Sequence, residues 1–312
     1  MNFTTVAAQM LILFAMMAFG YILYKLKCMP DDLCDGLSWL VIHVFNPFLI
    51  ITSIQGKTLA DSGSVFWQNL ILVFAYYIGL FILGFVFVLL LKTDKSETPV
   101  YRLMTMLSNC GFMGIPVVSS LLGPGYVIYV AIYLLFYNII IYTYGIYLLK
   151  KTSGTNTEKK SLSDTLKPLF FNPGIIACVI AMVLFFAGIN LPESVWDLCG
   201  YLSSPCVPLS MMLIGCSLAS QHLVDLIKDV KMIVFTVLRC LALPIACAFL
   251  IRIIPFDRTI LQIFIIMLAM PVGSMTVLVV SEYKGNTACA SSGVALSTLL
   301  SILTIPIVAI FL

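Results

Sequence analysis

Ten apolar stretches, each near the length of a membrane-crossing helix and separated by short polar connections, fill nearly the whole of this 312-residue chain. A helix rising about 1.5 Å per residue needs about 20 apolar residues to cross a hydrocarbon layer about 30 Å thick. The stretches run roughly over 5–25, 36–54, 66–91, 100–122, 125–149, 169–189, 197–219, 230–251, 259–281 and 286–311. Hydrophobic residues make up 61% of the chain and charged residues only 10%, too few polar side chains to clothe a water-soluble globule of this size. The expectation is an all-α membrane protein of ten transmembrane helices with the lipid bilayer as its solvent. A net charge of +3, carried on lysines dispersed among loops, gives no basic face for nucleic acid. No room remains for a sizeable soluble domain, which favours a bacterial inner membrane as its location. The first stretch has no basic region before it and ends in Lys25 and Lys27, so it reads as a first transmembrane helix and not as a cleaved signal.

The longest hydrophilic interruption, 150–167, reads KKTSGTNTEKKSLSDTLK, and its Ser, Thr, Gly and Lys content predicts a flexible cytoplasmic linker. It divides the chain into a first five-helix repeat, 1–149, and a second, 168–312. With the N-terminus outside, 13 of the 17 basic residues fall on the cytoplasmic side, among them Lys25, Lys92, Arg102, Lys150, Lys231 and Lys284. Lys57, Arg252 and Arg258 fall on the other side, and Arg239 lies within the eighth span. Both termini are therefore expected to be extracytoplasmic. Five spans per half then insert the halves in opposite orientations, the arrangement of inverted-repeat transporters.

Helix breakers occupy matching places in the two halves. The fourth span contains Asn109, Cys110, Gly111, Gly114 and Pro116, and the ninth contains Pro271, Gly273, Ser274 and Thr276. A broken helix in lipid frees amides and carbonyls that cost several kcal/mol each unless they line a polar cavity or meet protein partners. Matched breaks point to a binding site, and the second half of each helix turns free N–H groups and a positive dipole end toward it. Two such ends suit a carboxylate without any buried lysine. Asn138, deep in the fifth span, needs partners, and either substrate or a neighbouring helix can supply them.

All 14 acidic residues lie in loops or near span ends, which argues against a cationic substrate and against proton coupling through a mid-membrane carboxylate; Glu282, near the inner end of the ninth span, remains a candidate. Arg239 is the only basic residue well inside a span. It must either find an acid, a carbonyl or an anion, or reach back about 12 Å to the interface. His43 precedes Asn46 and Pro47, where the second span must adjust, and both hydrogen bonding and pH sensing are open to it. Six of the ten cysteines, including Cys110, sit in apolar stretches and read as small hydrophobes; no His/Cys grouping has zinc-ligand spacing, so no metal or cofactor is expected.

Four segments carry a likeness to a known family: NCGFMGIPVVSSLLG in the fourth span, YNIIIYTYG in the fifth, FNPGIIACVIA in the sixth and AMPVGSMTVLVVSEYKG in the ninth. The chain resembles the auxin efflux carrier family, and the likeness extends over its whole length. That family includes plant auxin exporters and bacterial carriers associated with malate, malonate and similar anions. The resemblance implies two inverted five-span repeats, with helices 4 and 9 broken where they cross at prolines matched here by Pro116 and Pro271. It also implies an Asn-rich crossover at Asn109 and a polar position near substrate at Asn138. A scaffold of spans 1, 2, 6 and 7 that forms a homodimer, and a transport domain of spans 3–5 and 8–10 that moves like an elevator, complete the implied picture. The chain departs from the plant members in its short central loop and in placing Phe112 and Met113 where a second Asn often follows the glycine. The function expected is secondary transport of a small organic anion. A sodium-coupled carrier akin to the bile acid symporters, and a solute sensor that moves nothing, are the alternatives; the lack of a zinc motif or paired intramembrane aspartates argues against a membrane enzyme.

Overall fold

The computed structural model describes residues 3–56, 59–153, 171–220 and 229–311. Lys57, residues 154–167 of the expected linker, Lys228 and the side chain of Glu282 lie outside the described residues.

Among the described residues every regular element is helical, as lipid requires of a chain that must satisfy its backbone internally. The first half holds α1 (Phe3–Lys25), α2 (Asp31–Leu40), α3 (Asn46–Thr52), α4 (Leu59–Leu90), α5 (Thr98–Met106), α6 (Ile115–Leu122), α7 (Val127–Ile140) and α8 (Ile146–Ser153). The second holds α9 (Pro173–Ala187), α10 (Glu193–Ser203), α11 (Cys206–Ala219), α12 (Val230–Val237), α13 (Leu243–Leu250), α14 (Arg258–Ala269), α15 (Met275–Glu282) and α16 (Thr287–Ala309). Six continuous segments are long and apolar enough to cross a membrane, Asp31–Thr52, Gly63–Leu90, Pro124–Lys150, Glu193–Ala219, Val230–Ile253 and Thr287–Ala309. Shorter apolar helices cover Leu11–Lys25, Cys110–Leu122, Pro173–Ala187 and Arg258–Ala269. Large apolar side chains such as Leu89 and Ile253 are 77% and 85% exposed, a liability in water and the expected state against acyl chains.

Three of the prolines within the spans are absorbed by π turns. Val41–Phe45, Cys110–Gly114 and Leu238–Ala242 are π-helical, and each is followed by a helix whose second residue is proline: Pro47, Pro116 and Pro244. A proline ring collides with the carbonyl four residues back and donates no hydrogen bond. Here that carbonyl belongs to His43, Phe112 or Cys240, each inside the wider turn, where the i→i+5 spacing moves it aside. A fourth π turn, Ile141–Gly145, has no proline after it; Thr143 Oγ1 donates to Ile139 O at 2.6 Å within it.

Helix packing uses small residues where backbones touch. Gly20 of α1 and Gly215 of α11 face each other's helices so closely that a Cβ on Gly215 would stand 1.9 Å from Met17 O and one on Gly20 2.1 Å from Met212 O. The second and seventh spans, both interrupted near a proline, also meet: Cys206 Sγ–H donates to Asn46 Oδ1 at 2.7 Å.

Candidate functional site at two interrupted helices

The fourth and ninth spans are both interrupted, and their gaps lie against each other. α5 stops at Met106 and the chain resumes helical form at Cys110; α14 stops at Ala269 and resumes at Met275. Between them Ser108 and Val272 form an antiparallel bridge, in which Asn109 N donates to Pro271 O and Gly273 N donates to Leu107 O, both at 2.8 Å. Val272 N donates to Ser297 Oγ of α16 at 3.0 Å. Backbone groups that lipid would leave orphaned therefore satisfy one another across the two halves of the sequence. Gly273 is required by this approach: a Cβ there would stand 2.8 Å from the Tyr137 hydroxyl oxygen and 3.3 Å from Ser108 O.

The carboxyl-terminal ends of α5 and α14 are tied by one side chain. Arg239, in the π turn that follows α12, is 1% exposed, with Nε donating to Thr105 O at 2.8 Å, Nη1 to Leu268 O at 2.5 Å, and Nη2 to Ser108 Oγ. Tyr76 of α4 completes the cluster, its hydroxyl 2.6 Å from Ser108 Oγ and donating to Met267 O at 3.2 Å. A buried guanidinium costs several kcal/mol to desolvate, and hydrogen bonds from a charged group return about 1.5–3 kcal/mol each. Arg239 thus reaches carbonyls and a hydroxyl, and not the membrane interface.

The amino-terminal ends of the second halves are left differently. Asn109 is buried and caps its own helix, Oδ1 accepting from Phe112 N at 3.2 Å. The amides of Gly111, Ser274 and Met275 take no acceptor outside their own helices among the described residues. Gly111 and Met275 are half-buried and Ser274 is exposed, whereas Thr276 is fully buried and its hydroxyl has no partner among the described residues. Cys110 and Gly114 are buried, with Gly114 held against Met267. Phe112 packs on the cluster of Met29, Val41, Leu213 and Cys216 contributed by the first, second and seventh spans.

Two expected residues sit apart from the gap itself. The break falls at 107–109, so the second half-helix begins before Gly114, and Pro116 lies in the helix beyond the π turn. Asn138 donates from Nδ2 to Leu134 O at 2.8 Å and accepts at Oδ1 from Asn172 Nδ2 at 3.3 Å. Asn172 in turn caps α9, accepting from Gly174 N and Ile175 N. Asn138 therefore links the fifth span to the sixth. Ser108, Tyr76, Ser297 and Asn172 were not singled out from sequence; Ser108 adjoins the first breaker residue, while the two aromatic and hydroxyl partners on other spans carry no local signal.

A sequence model of the family described as Membrane transport protein matches residues 5–309. The chain belongs to this family, that of the auxin efflux carriers. An uncharacterized transporter of Methanothermobacter thermautotrophicus is 24% identical over 291 residues, covering 92% of each chain. The uncharacterized transporter MJ1031 of Methanocaldococcus jannaschii is 24% identical over 310 residues, covering 95% of each. The uncharacterized transporter YfdV of Escherichia coli is 22% identical over 306 residues, 96% of this chain and 95% of its own. This member of the auxin efflux carrier family is accordingly a multi-pass membrane transporter and not an enzyme.

Proposed function

We propose that the chain is a secondary carrier of a small organic anion, bound where the interrupted fourth and ninth spans meet and exposed alternately to either side of the membrane. The observation that carries this reading is the unequal treatment of the helix ends: the carboxyl-terminal ends find Arg239, while the amides of Gly111, Ser274 and Met275 at the amino-terminal ends have no acceptor outside their own helices among the described residues. Free N–H groups and the positive end of a helix dipole bind carboxylates. In this reading the ten spans form two inverted five-helix repeats, with both termini outside. Spans 3–5 and 8–10 move as one body against a dimeric scaffold of spans 1, 2, 6 and 7. The backbone bridge between the two gaps and the Arg239 cluster support such a body, because the bridge joins the fourth span to the ninth and Arg239 ties the eighth to both. The Asn138–Asn172 contact crosses from the fifth span to the sixth, and movement of the two domains would part it.

The test is uptake into proteoliposomes, with organic acids first screened by the rise in melting temperature that a ligand of the folded state produces. Replacing Asn109 with Ala removes the cap of the second half-helix and should cut uptake at least tenfold while the protein still elutes as a folded species. Unchanged uptake would remove Asn109 from the site, and a protein that binds acids saturably without flux would replace carrier by sensor.

A further inference from the structure

Charge at the meeting of the two helices is balanced on one side only. Each helix end carries the equivalent of about half an elementary charge, negative at the carboxyl end and positive at the amino end. The carboxyl ends of α5 and α14 together bring about −1, and Arg239 places a single guanidinium on a carbonyl of each. At the other pole the amino-terminal turns beginning at Cys110 and Met275 together bring about +1. No acidic side chain is buried among the described residues to meet it. Thr276 in that second turn is fully buried, and its hydroxyl has no partner among the described residues.

We infer that Arg239 is a positioning residue that reserves the site for a ligand with one carboxylate: by neutralising the carboxyl-terminal ends it leaves a single unmatched positive charge, which one carboxylate fills and two overfill. The inference rests on the reading of this crossing as the substrate site. Arg239 acts through the backbone of α5 and α14 and touches no ligand. Removing its charge would leave two negative helix ends beside the anion; removing only its forked shape would not.

The experiment compares matched pairs that differ by one charge, succinate with monomethyl succinate and malonate with monomethyl malonate, with indole-3-acetate as a bulkier monoanion. Initial uptake rates at pH 7 give KM and the maximal rate per folded protein for the wild type, Arg239→Met and Arg239→Lys. The expected result is that the wild type favours the singly charged member at least tenfold in rate over KM. Arg239→Met then raises KM for monoanions at least tenfold with the maximal rate changed less than threefold, and Arg239→Lys keeps KM within threefold of the wild type. A merely structural role would lower the yield and maximal rate of both variants without moving KM. Preference for the doubly charged member overturns the inference and leaves the carrier reading standing, and should Arg239→Met fail to fold, that wild-type comparison still decides. An unchanged KM in Arg239→Met also overturns it. Absence of any anion uptake by the wild type removes both.

Discussion

Gly273 shows how little freedom single residues have at the gap. Its amide holds Leu107 O, and the space where a side chain would begin is taken by the Tyr137 hydroxyl 2.8 Å away. Gly273→Ala must push Tyr137 aside or open the bridge, at an overpacking cost of about 1–3 kcal/mol. Uptake should fall at least tenfold, and adding Tyr137→Phe, which deletes the colliding oxygen, should restore part of it. Equal activity in the single variant would show that the bridge tolerates displacement. Asn138 offers a contrast: its amide donates once to Leu134 O and accepts once from Asn172, so its depth in the membrane is met by protein partners.

At the scale of elements, the contact of α1 with α11 is backbone against backbone. Gly215→Ala would bring a methyl 1.9 Å from Met17 O, an atom that cannot rotate away, so the two helices must separate. A loss of about 3 kcal/mol or more is expected from such overpacking, read as a lower melting temperature in detergent; a variant that melts with the wild type would mean the pair is looser than described. The helices themselves were legible in the sequence, since apolar length alone marks them, and so were the two interruptions, because glycine and proline cannot hide in a span. Asn109 marked the first break, but where the helix resumes beyond it was not legible. Proline suggested a gap near Pro116, but the π turn at Cys110–Gly114 accommodates the ring, and the chain parts instead at 107–109, where Ser108 and Asn109 find partners on the ninth span. The role of Arg239 was equally hidden. Its depth was visible, yet choosing between carbonyls and the interface required knowing that α5 and α14 end beside it.

At the scale of the whole molecule, the Asn138–Asn172 bond tests whether the protein moves as two bodies. With cysteines at 138 and 172 in a background lacking other accessible thiols, a short thiol-reactive linker should stop uptake, and reductive cleavage should restore it. Uptake that continues after linking would show that these spans do not part during transport. The π turns bear on the same question. Each of the three that precede a proline houses one residue more than the rise of its helix needs, and the ring fixes where that surplus sits. Deleting the surplus residue from Leu238–Ala242 would return the segment to ordinary spacing with the flanking turns still in line, while side chains inside it shift around the axis by up to about 100°, the angle per residue of an α-helix with 3.6 residues per turn. The guanidinium would then turn away from both carbonyls although Arg239 itself stayed in the chain. Aim, and not composition alone, is what these wide turns conserve along the span.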